Sequence, residues 1–463
     1  MRAHVKPRLT KMRQMEKHHK APLNRRSLLL SAATLAITPS LSYCGGSAAQ
    51  STQGDDNDLE RGLLRVRGFA DAEMDFQLIR QMGTARYGGA SVGECLAIAQ
   101  RISNASPASW VAQFSQMAAR QEADAKARAQ RGHAISAKEQ YLVACNSWRA
   151  AEYYTSIAQT EHQGLGLQSR SCFMAAMRTG QIACEEIMLP WGATPLPAYY
   201  FRAPKANAST SKTLMLISGY DGTLEETWIA YGQAAMARGY NLLLIAGPGQ
   251  MDTLRFYPTM AFIPEYEQVA KIALDYLSAR PETDVRHIAI MGISYGGYFA
   301  TRMAAYDARI TALIANSPIV DLRKYMVSFI GFDPSAWPPE QDIQLEDIDK
   351  LPPDAMPLQQ REMLRNLMLR MGRSSFVSTY ERLRDFHIDD AALARIRCPA
   401  LALVGQGEGK EPLAQHAHFL SKVSGPAASH LFTLEEGAEG HCQTANLGYS
   451  AAVSMDWLDE VFV

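Results

Sequence analysis

From about Cys184 onward, short apolar segments alternate with stretches of helical texture. They run Thr213 to Ser218, Asn241 to Ala246, His287 to Gly292, Thr311 to Ala315, Ala400 to Val404 and His430 to Leu434. Near-continuous apolar runs of this length are strands buried on both faces, and helices between them specify a mostly parallel sheet. Gly or Pro punctuates their C-terminal ends, the edge at which open α/β sheets bind ligands. An earlier pair, around Glu185 to Met188 and Pro197 to Arg202, reads as an antiparallel hairpin leading into the sheet. Between Pro318 and Ile396 the rhythm breaks, with Trp337-Pro338-Pro339, Leu351-Pro352-Pro353 and a helical Leu358 to Met371. That is too long for a simple connection. It predicts a cap, at about 319–396, inserted over the sheet edge.

Ahead of the sheet the pattern is different. The region to about Gly180 shows no strand-like alternation and is rich in Ala, Gln, Glu, Arg and Met, all good helix formers. Ile135 to Ile157 is its clearest helix, with Tyr141, Ala144, Cys145, Trp148, Ala151 and Tyr154 at helical spacing, a stripe that reads as buried core. The chain therefore divides into a helical N-terminal domain, 50–180, and an α/β domain, 181–463, joined to a leader of another kind.

That leader, 1–49, has the order of an export signal. Basic residues from Lys6 to Lys20 precede Asn24-Arg25-Arg26-Ser27, an apolar run extends to about Ile37, and small residues follow through Gly45 to Ala49. Paired arginines before a short apolar run favour the twin-arginine route, and the run falls short of the roughly 20 residues of a spanning helix. Export to the periplasm or beyond is the expectation. Leu41-Ser42-Tyr43-Cys44-Gly45 also looks like a lipoprotein cleavage box, although Tyr43 stands where that pattern wants a small residue. A lipid anchor at Cys44 and ordinary cleavage near Ala48 both stay open, as does Met15 as the start.

Composition narrows the chemistry. With 47% hydrophobic and 20% charged residues over 463 positions, the chain can bury a sizeable core. A net charge of -1 offers no concentrated basic patch for nucleic acid. Cysteines 44, 95, 145, 172, 184, 398 and 442 stand singly, without zinc-type spacing. No phosphate loop or dinucleotide fingerprint is present, so no cofactor or metal is expected. A small-molecule partner remains, and a homodimer is left open.

One motif carries chemistry. Gly292-Ile293-Ser294-Tyr295-Gly296 matches G-x-S-x-G between the strand His287 to Met291 and a helix from Gly296 to Tyr306. In that context the turn is a nucleophile elbow, which exposes the serine hydroxyl at the sheet edge and needs glycines where side chains would clash. A serine hydroxyl is a poor nucleophile until a base takes its proton. His287 begins a strand, and His416 and His418 fall on a surface helix. His441, in the loop after the last strand, is where the α/β-hydrolase fold places its base. The orienting acid should follow the strand Ala400 to Val404. Glu408 is the candidate, with Glu411 as the alternative. The order Ser294, Glu408, His441 is that of the fold. Backbone N–H groups of Tyr295 and of Tyr220, in Ser218-Gly219-Tyr220-Asp221-Gly222, are the candidate oxyanion donors.

Taken together, Gly219-Tyr220-Asp221-Gly222-Thr223 with Glu225-Glu226, Arg238-Gly239-Tyr240, Gly247-Pro248-Gly249-Gln250, Gly292 to Tyr298 and Gly440-His441-Cys442-Gln443 resemble a known group. It is the α/β-hydrolases related to the fermentation-respiration-switch esterase, which include 2,6-dihydroxypseudooxynicotine hydrolase and the fungal yellowish-green polyketide-shortening hydrolases. The resemblance spans the α/β domain and extends to a helical domain ahead of it. It implies a site between helical domain, cap and sheet, acting on esters or on carbon–carbon bonds of β-diketone-like or aryl ketone substrates. Two positions depart from the group: Glu408 replaces the usual Asp, and Met251 stands where a glycine is common. An exopeptidase of the prolyl-oligopeptidase type is a second expectation, weakened by the lack of a propeller-like strand repeat. A non-catalytic binding protein on the same fold is a third.

Overall fold

The computed structural model describes residues 62–203, 210–352 and 356–463. The twin arginines, Cys44 and both candidate starts lie outside the described residues.

Five helices come first: α1 (Ala72–Gly83), α2 (Val92–Ala99), α3 (Pro107–Gln130), α4 (Ala134–Tyr153) and α5 (Thr160–Thr179). Local chemistry sets their starts. The Asp71 side chain accepts from Met74 N at the head of α1, and Ser106 does the same for Ser109 N ahead of Pro107 in α3. The stripe expected on α4 is buried at Ala144, Cys145 and Ala151 and half-buried at Trp148.

The sheet elements then follow as β1 (Cys184–Leu189), β2 (Leu196–Phe201), β3 (Ser211–Ile217), α6 (Leu224–Thr227), α7 (Gln233–Ala237), β4 (Asn241–Ile245), α8 (Met251–Leu254), α9 (Glu267–Ser278), β5 (Thr283–Ile293), α10 (Tyr295–Tyr306) and β6 (Ala312–Asn316). A long insertion carries α11 (Leu322–Ile330), α12 (Leu358–Arg370), α13 (Phe376–Arg382) and α14 (Asp390–Leu393). β7 (Ala400–Gly405), α15 (Lys410–Lys422), β8 (Ala427–Phe432) and α16 (Leu447–Val461) close the chain. The eight strands lie in the order β1-β2-β4-β3-β5-β6-β7-β8. β2 pairs antiparallel with β1 and β4, and the remaining pairs are parallel. This is the α/β-hydrolase architecture, with the expected antiparallel hairpin at one edge.

Successive side chains on a strand point to opposite faces, and the core divides accordingly. Met215, Ile217, Leu243 and Ile245 pack with α9, α10 and the insertion. Leu214, Leu216, Leu242 and Leu244 pack with α16 and with Leu142 and Phe173 of the N-terminal helices. The helices α4 and α5 thus share a core with the sheet, while Trp110, Phe114 and Leu78 form a further cluster outside them.

Three expectations need correction. β5 starts at Thr283, four residues before His287, because its first residues pair beside Ser211 with little apolar burial. β8 starts three residues before the apolar segment His430 to Leu434 and ends two residues before its end, since as an edge strand it buries few side chains and carries a thin signal. His416 is on α15 but not at its surface. It shares a helical face with Pro412 and Phe419, is buried, and lies 3.1 Å from Ser429 Oγ. His418, on the outer face, pairs with Asp390 at 2.9 Å.

Candidate active site

β5 runs into a sharp turn at Ser294, whose φ of 59° and ψ of −125° are strained for a residue with a side chain. The turn exists because its neighbours have none. A Cβ on Gly292 would sit 1.8 Å from Gly296 O, one on Gly296 2.5 Å from Ile217 O in β3, and one on Gly297 1.7 Å from Ser317 O. Backbone cannot move aside as a flexible side chain can. Gly292→Ala is therefore expected to lower stability by at least about 3 kcal/mol, measured as a fall in soluble yield and thermal midpoint. A midpoint equal to that of the wild type would show that the turn tolerates a methyl group.

His441 follows β8 in a tight loop, where Cys442 and Gln443 adopt φ of 54° and 53°. Its Nε2 is 2.9 Å from Ser294 Oγ and its Nδ1 is 2.6 Å from Glu408 Oε2. Glu408 ends a short 3₁₀ turn, Gln406–Glu408, and is only 1% exposed. Its carboxylate also accepts from Gly405 N at 2.8 Å and from Ser317 Oγ at 3.0 Å. Glu411, the alternative acid, instead accepts from Gln415 Nε2 at 2.8 Å within its own helix. Burial by itself lowers the imidazole pKa of His441. Cys442 Sγ, 3.5 Å away, and the Glu408 carboxylate oppose it, and the net direction is upward.

The loop after β3 lies directly on the elbow. A Cβ on Gly219 would be 2.7 Å from Ser294 Cβ and 2.9 Å from Tyr295 N. Tyr295 opens α10, so its N–H is among the first four of that helix, which have no acceptor within it. Several side chains hold the loop. Gln250 Nε2 donates to Ser218 O at 2.6 Å while its Oε1 accepts from Gly247 N at 2.7 Å. Arg80, from α1, reaches Asp221 at 3.1 Å and Glu226 through Nε at 2.7 Å. Arg370, from α12, donates to the Tyr220 carbonyl oxygen. The structure thus brings together all five residues expected at the site: Ser294, Glu408, His441, Tyr220 and Tyr295.

Five supporting residues were not anticipated: Arg80, Gln250, Ser317, Tyr325 (hydroxyl 3.4 Å from His441 Nδ1) and Arg370. Gln250 lies in the quoted Gly-Pro-Gly-Gln run. Asp221 and Glu226, acids inside an apolar stretch, require a buried cation. Nothing local says that the cation comes from position 80.

Ser294 and His441 form part of the wall of a cavity of about 300 Å³. Tyr153 and Tyr154 enter it from the end of α4, and Phe329, Trp337, Leu364 and Phe376 enter from the insertion between β6 and β7. A smaller hollow of about 70 Å³, lined by Phe76, Arg80, Asp221 and Leu447, also reaches Ser294 and His441. A hydroxyl hydrogen-bonded to an imidazole, itself held by a buried carboxylate, is the arrangement that activates an oxygen nucleophile.

Sheet order, elbow and loop positions define a hydrolase-type α/β protein, and comparison with known proteins places it further. A model of the prolyl oligopeptidase family matches residues 265–364. The chain is 30% identical over 363 residues to the α/β hydrolase pydG of Acremonium sp, covering 73% of this chain and 82% of that one. It is 31% identical over 361 residues to the α/β hydrolase gkaG of Penicillium citrinum, with the same two coverages. Among solved structures, 2,6-dihydroxy-pseudo-oxynicotine hydrolase superposes with a TM-score of 0.63 at 18% identity, over 82% of this chain and 96% of that one. The chain belongs to the α/β-hydrolase family.

Proposed function

We propose that this protein is an exported serine hydrolase that acts on a carbonyl group of a small molecule. The bond cleaved is either a carboxylic ester or the carbon–carbon bond of a β-diketone or aryl ketone. One observation carries the reading: the Ser294–His441–Glu408 hydrogen-bond chain faces a mostly apolar cavity large enough for a small aromatic molecule.

In this scheme Ser294 Oγ attacks the carbonyl as His441 Nε2 takes its proton. Glu408 holds the Nδ1–H tautomer and stabilises the imidazolium. The N–H groups of Tyr295 and Tyr220 face the developing oxyanion, and the Gly219 contact keeps that loop against the elbow. His441 then returns the proton to the leaving group. For an ester the proton goes to oxygen. For a ketone it goes to carbon, so the substrate must delocalise the departing electron pair. Water deacylates Ser294 in either case. The export signal at residues 1–49 belongs to this reading on sequence grounds alone, as does the alternative lipid anchor at Cys44.

The test is to incubate mature protein with a short aryl ester, an aromatic β-diketone and an aminoacyl anilide, following products by mass. Cleavage of ester or diketone is expected. Anilide cleavage alone would replace this reading with an exopeptidase, and no turnover of any of the three would leave a binding protein.

The acid makes a separate expectation. A base acts in its neutral form, so activity falls as pH drops through its pKa, and Glu408 raises that pKa. Glu408→Gln should lower kcat about 1,000- to 10,000-fold and move the acid limb of the kcat/KM profile to lower pH by about one unit. An unshifted limb would show that another group sets it.

A further inference from the structure

Arg370 is, among the described residues, the charged group of this cavity wall that has no oppositely charged partner. It ends α12, lines the cavity beside Ser294, and is 2% exposed. A guanidinium has five N–H donors and stays charged in proteins. Here one nitrogen donates to Tyr220 O, another points at the Met251 thioether, a weak acceptor, and Nε has no partner. The cation also stacks over the Tyr220 ring at 4.4 Å. Among the described residues, no carboxylate oxygen comes within 4.0 Å of it. The other charged groups of the cavity wall are each matched: Asp221 by Arg80 at 3.1 Å, Glu362 by Arg365 at 3.4 Å, and His441 by Glu408 at 2.6 Å.

A buried cation with one oxygen acceptor for five donors is an unfavourable arrangement in a finished core. It becomes favourable when a ligand supplies the missing negative oxygen. The surrounding wall is mostly aromatic and aliphatic, so the field of that cation is weakly screened inside the cavity. We infer that Arg370 is a specificity-determining residue, and that the substrate is an apolar, aromatic-sized molecule carrying an anionic oxygen, either a carboxylate or the enolate of a β-dicarbonyl. This rests on the serine-hydrolase reading for the bond cleaved, but not for the binding. Met251, in the place where the resembling group commonly has glycine, sets its thioether against one nitrogen of the guanidinium and lines the same cavity.

The test separates charge recognition from support of the Tyr220 loop. Hydrolysis of a neutral 4-nitrophenyl ester is compared with that of the same ester bearing a terminal carboxylate on its acyl chain. Wild-type protein should prefer the anionic ester at least tenfold in kcat/KM. Arg370→Met should erase that ratio mainly through KM, although both substrates lose some rate with the Tyr220 contact, and Arg370→Lys should recover part of the ratio. Equal losses on both esters, or no preference in the wild type, would overturn the proposal and leave Arg370 as a brace of the loop. Should the variants fail to fold, wild-type protein still decides. In calorimetry, 4-phenylbutanoate should bind at least tenfold more tightly than 4-phenylbutanamide, and equal binding would refute the anion site. Benzoylacetone against its 2,2-dimethyl analogue forms the enolate arm, and the tighter of the two anions identifies the source. Ser294 labelling by a fluorophosphonate is scored in parallel. Absent labelling with retained anion binding would overturn the hydrolase reading alone.

Discussion

Ser294→Ala should lower kcat by about 100,000- to 1,000,000-fold on whichever substrate the wild type accepts, with KM changed little. The reasoning separates what the hydroxyl does from what its surroundings do. The oxygen contributes almost nothing to ground-state binding in a cavity walled by Tyr153, Trp337 and Phe376, so KM has no reason to move. In the proposed scheme, however, the covalent route runs only through Oγ, which lies 2.9 Å from His441 Nε2. The N–H donors and the cavity survive the substitution, and they account for the residual rate above water that such variants keep, about 1,000- to 10,000-fold. Alanine keeps the Cβ that the elbow already accommodates, so the melting temperature should stay close to that of the wild type. Stopped-flow turnover of an aryl ester, with a burst equal to enzyme concentration in the wild type and none in the variant, is the decisive measurement. Retention of more than a tenth of the rate would mean that the carbonyl is attacked by something other than Ser294.

The legible parts of this molecule are those in which a residue's role follows from its neighbours in the chain. The elbow is local: five residues, a strand before and a helix after, with glycines whose contacts leave no room for a methyl group. Glu408 could be located because it follows a recognisable apolar strand, β7, and His441 because it lies in the loop after the last strand, β8, although that edge strand is only faintly marked. What could not be read is whatever depends on the folding of the N-terminal helices and the insertion onto the sheet. Arg80 meets Glu226 across 146 positions and Arg370 meets Tyr220 across 150. No periodicity records such a meeting. His416 is hard to place from sequence for a related reason: its helix is polar enough to read as surface, yet one face of it lies against β7 and β8, and His416 is on that face. The helical region shows the same limit at a larger scale. Its stripe on α4 was visible as core, but not that this core is continuous with the sheet's own.

That continuity is held by an ion cluster, and breaking it gives the largest expected effect on stability. Arg255 has no exposed side-chain surface. It makes a two-pronged contact to Glu152 of α4 at 2.8 and 2.7 Å, and meets Glu225 at 3.0 Å and Asp252 at 2.8 Å. Tyr199 OH and Leu224 N donate to the outer oxygens of Glu225 and Asp252. Gly166 on α5 makes the space, since a Cβ there would fall 2.2 Å from Glu152 Oε1. Burial opposes charge on Glu225 and Asp252, but Arg255 holds Glu225 below its usual range, while Asp252, with Glu225 beside it, is pushed well up. Arg255→Met removes the cation and leaves the carboxyl groups of Glu152, Glu225 and Asp252 buried without it, which should destabilise the fold by about 3–5 kcal/mol. The pH dependence fixes the cause. In the wild type the depressed pKa of Glu225 gives stability that is present above about pH 4.5 and is lost as pH falls. In the variant the same carboxyls have raised folded-state pKa values, so the fold is least impaired in acid and the deficit grows as pH rises. His162, 3.7 Å from Glu152 and lowered to about 4 chiefly by burial, acts in the same sense, because losing Arg255 lets it take a proton opposite Glu152. Urea midpoints of wild type and variant should therefore draw together at pH 5 and separate at pH 8. A small, pH-independent difference would instead mean that water enters the vacated space and solvates the carboxylates, and the helical layer would then be joined to the sheet by its apolar core alone.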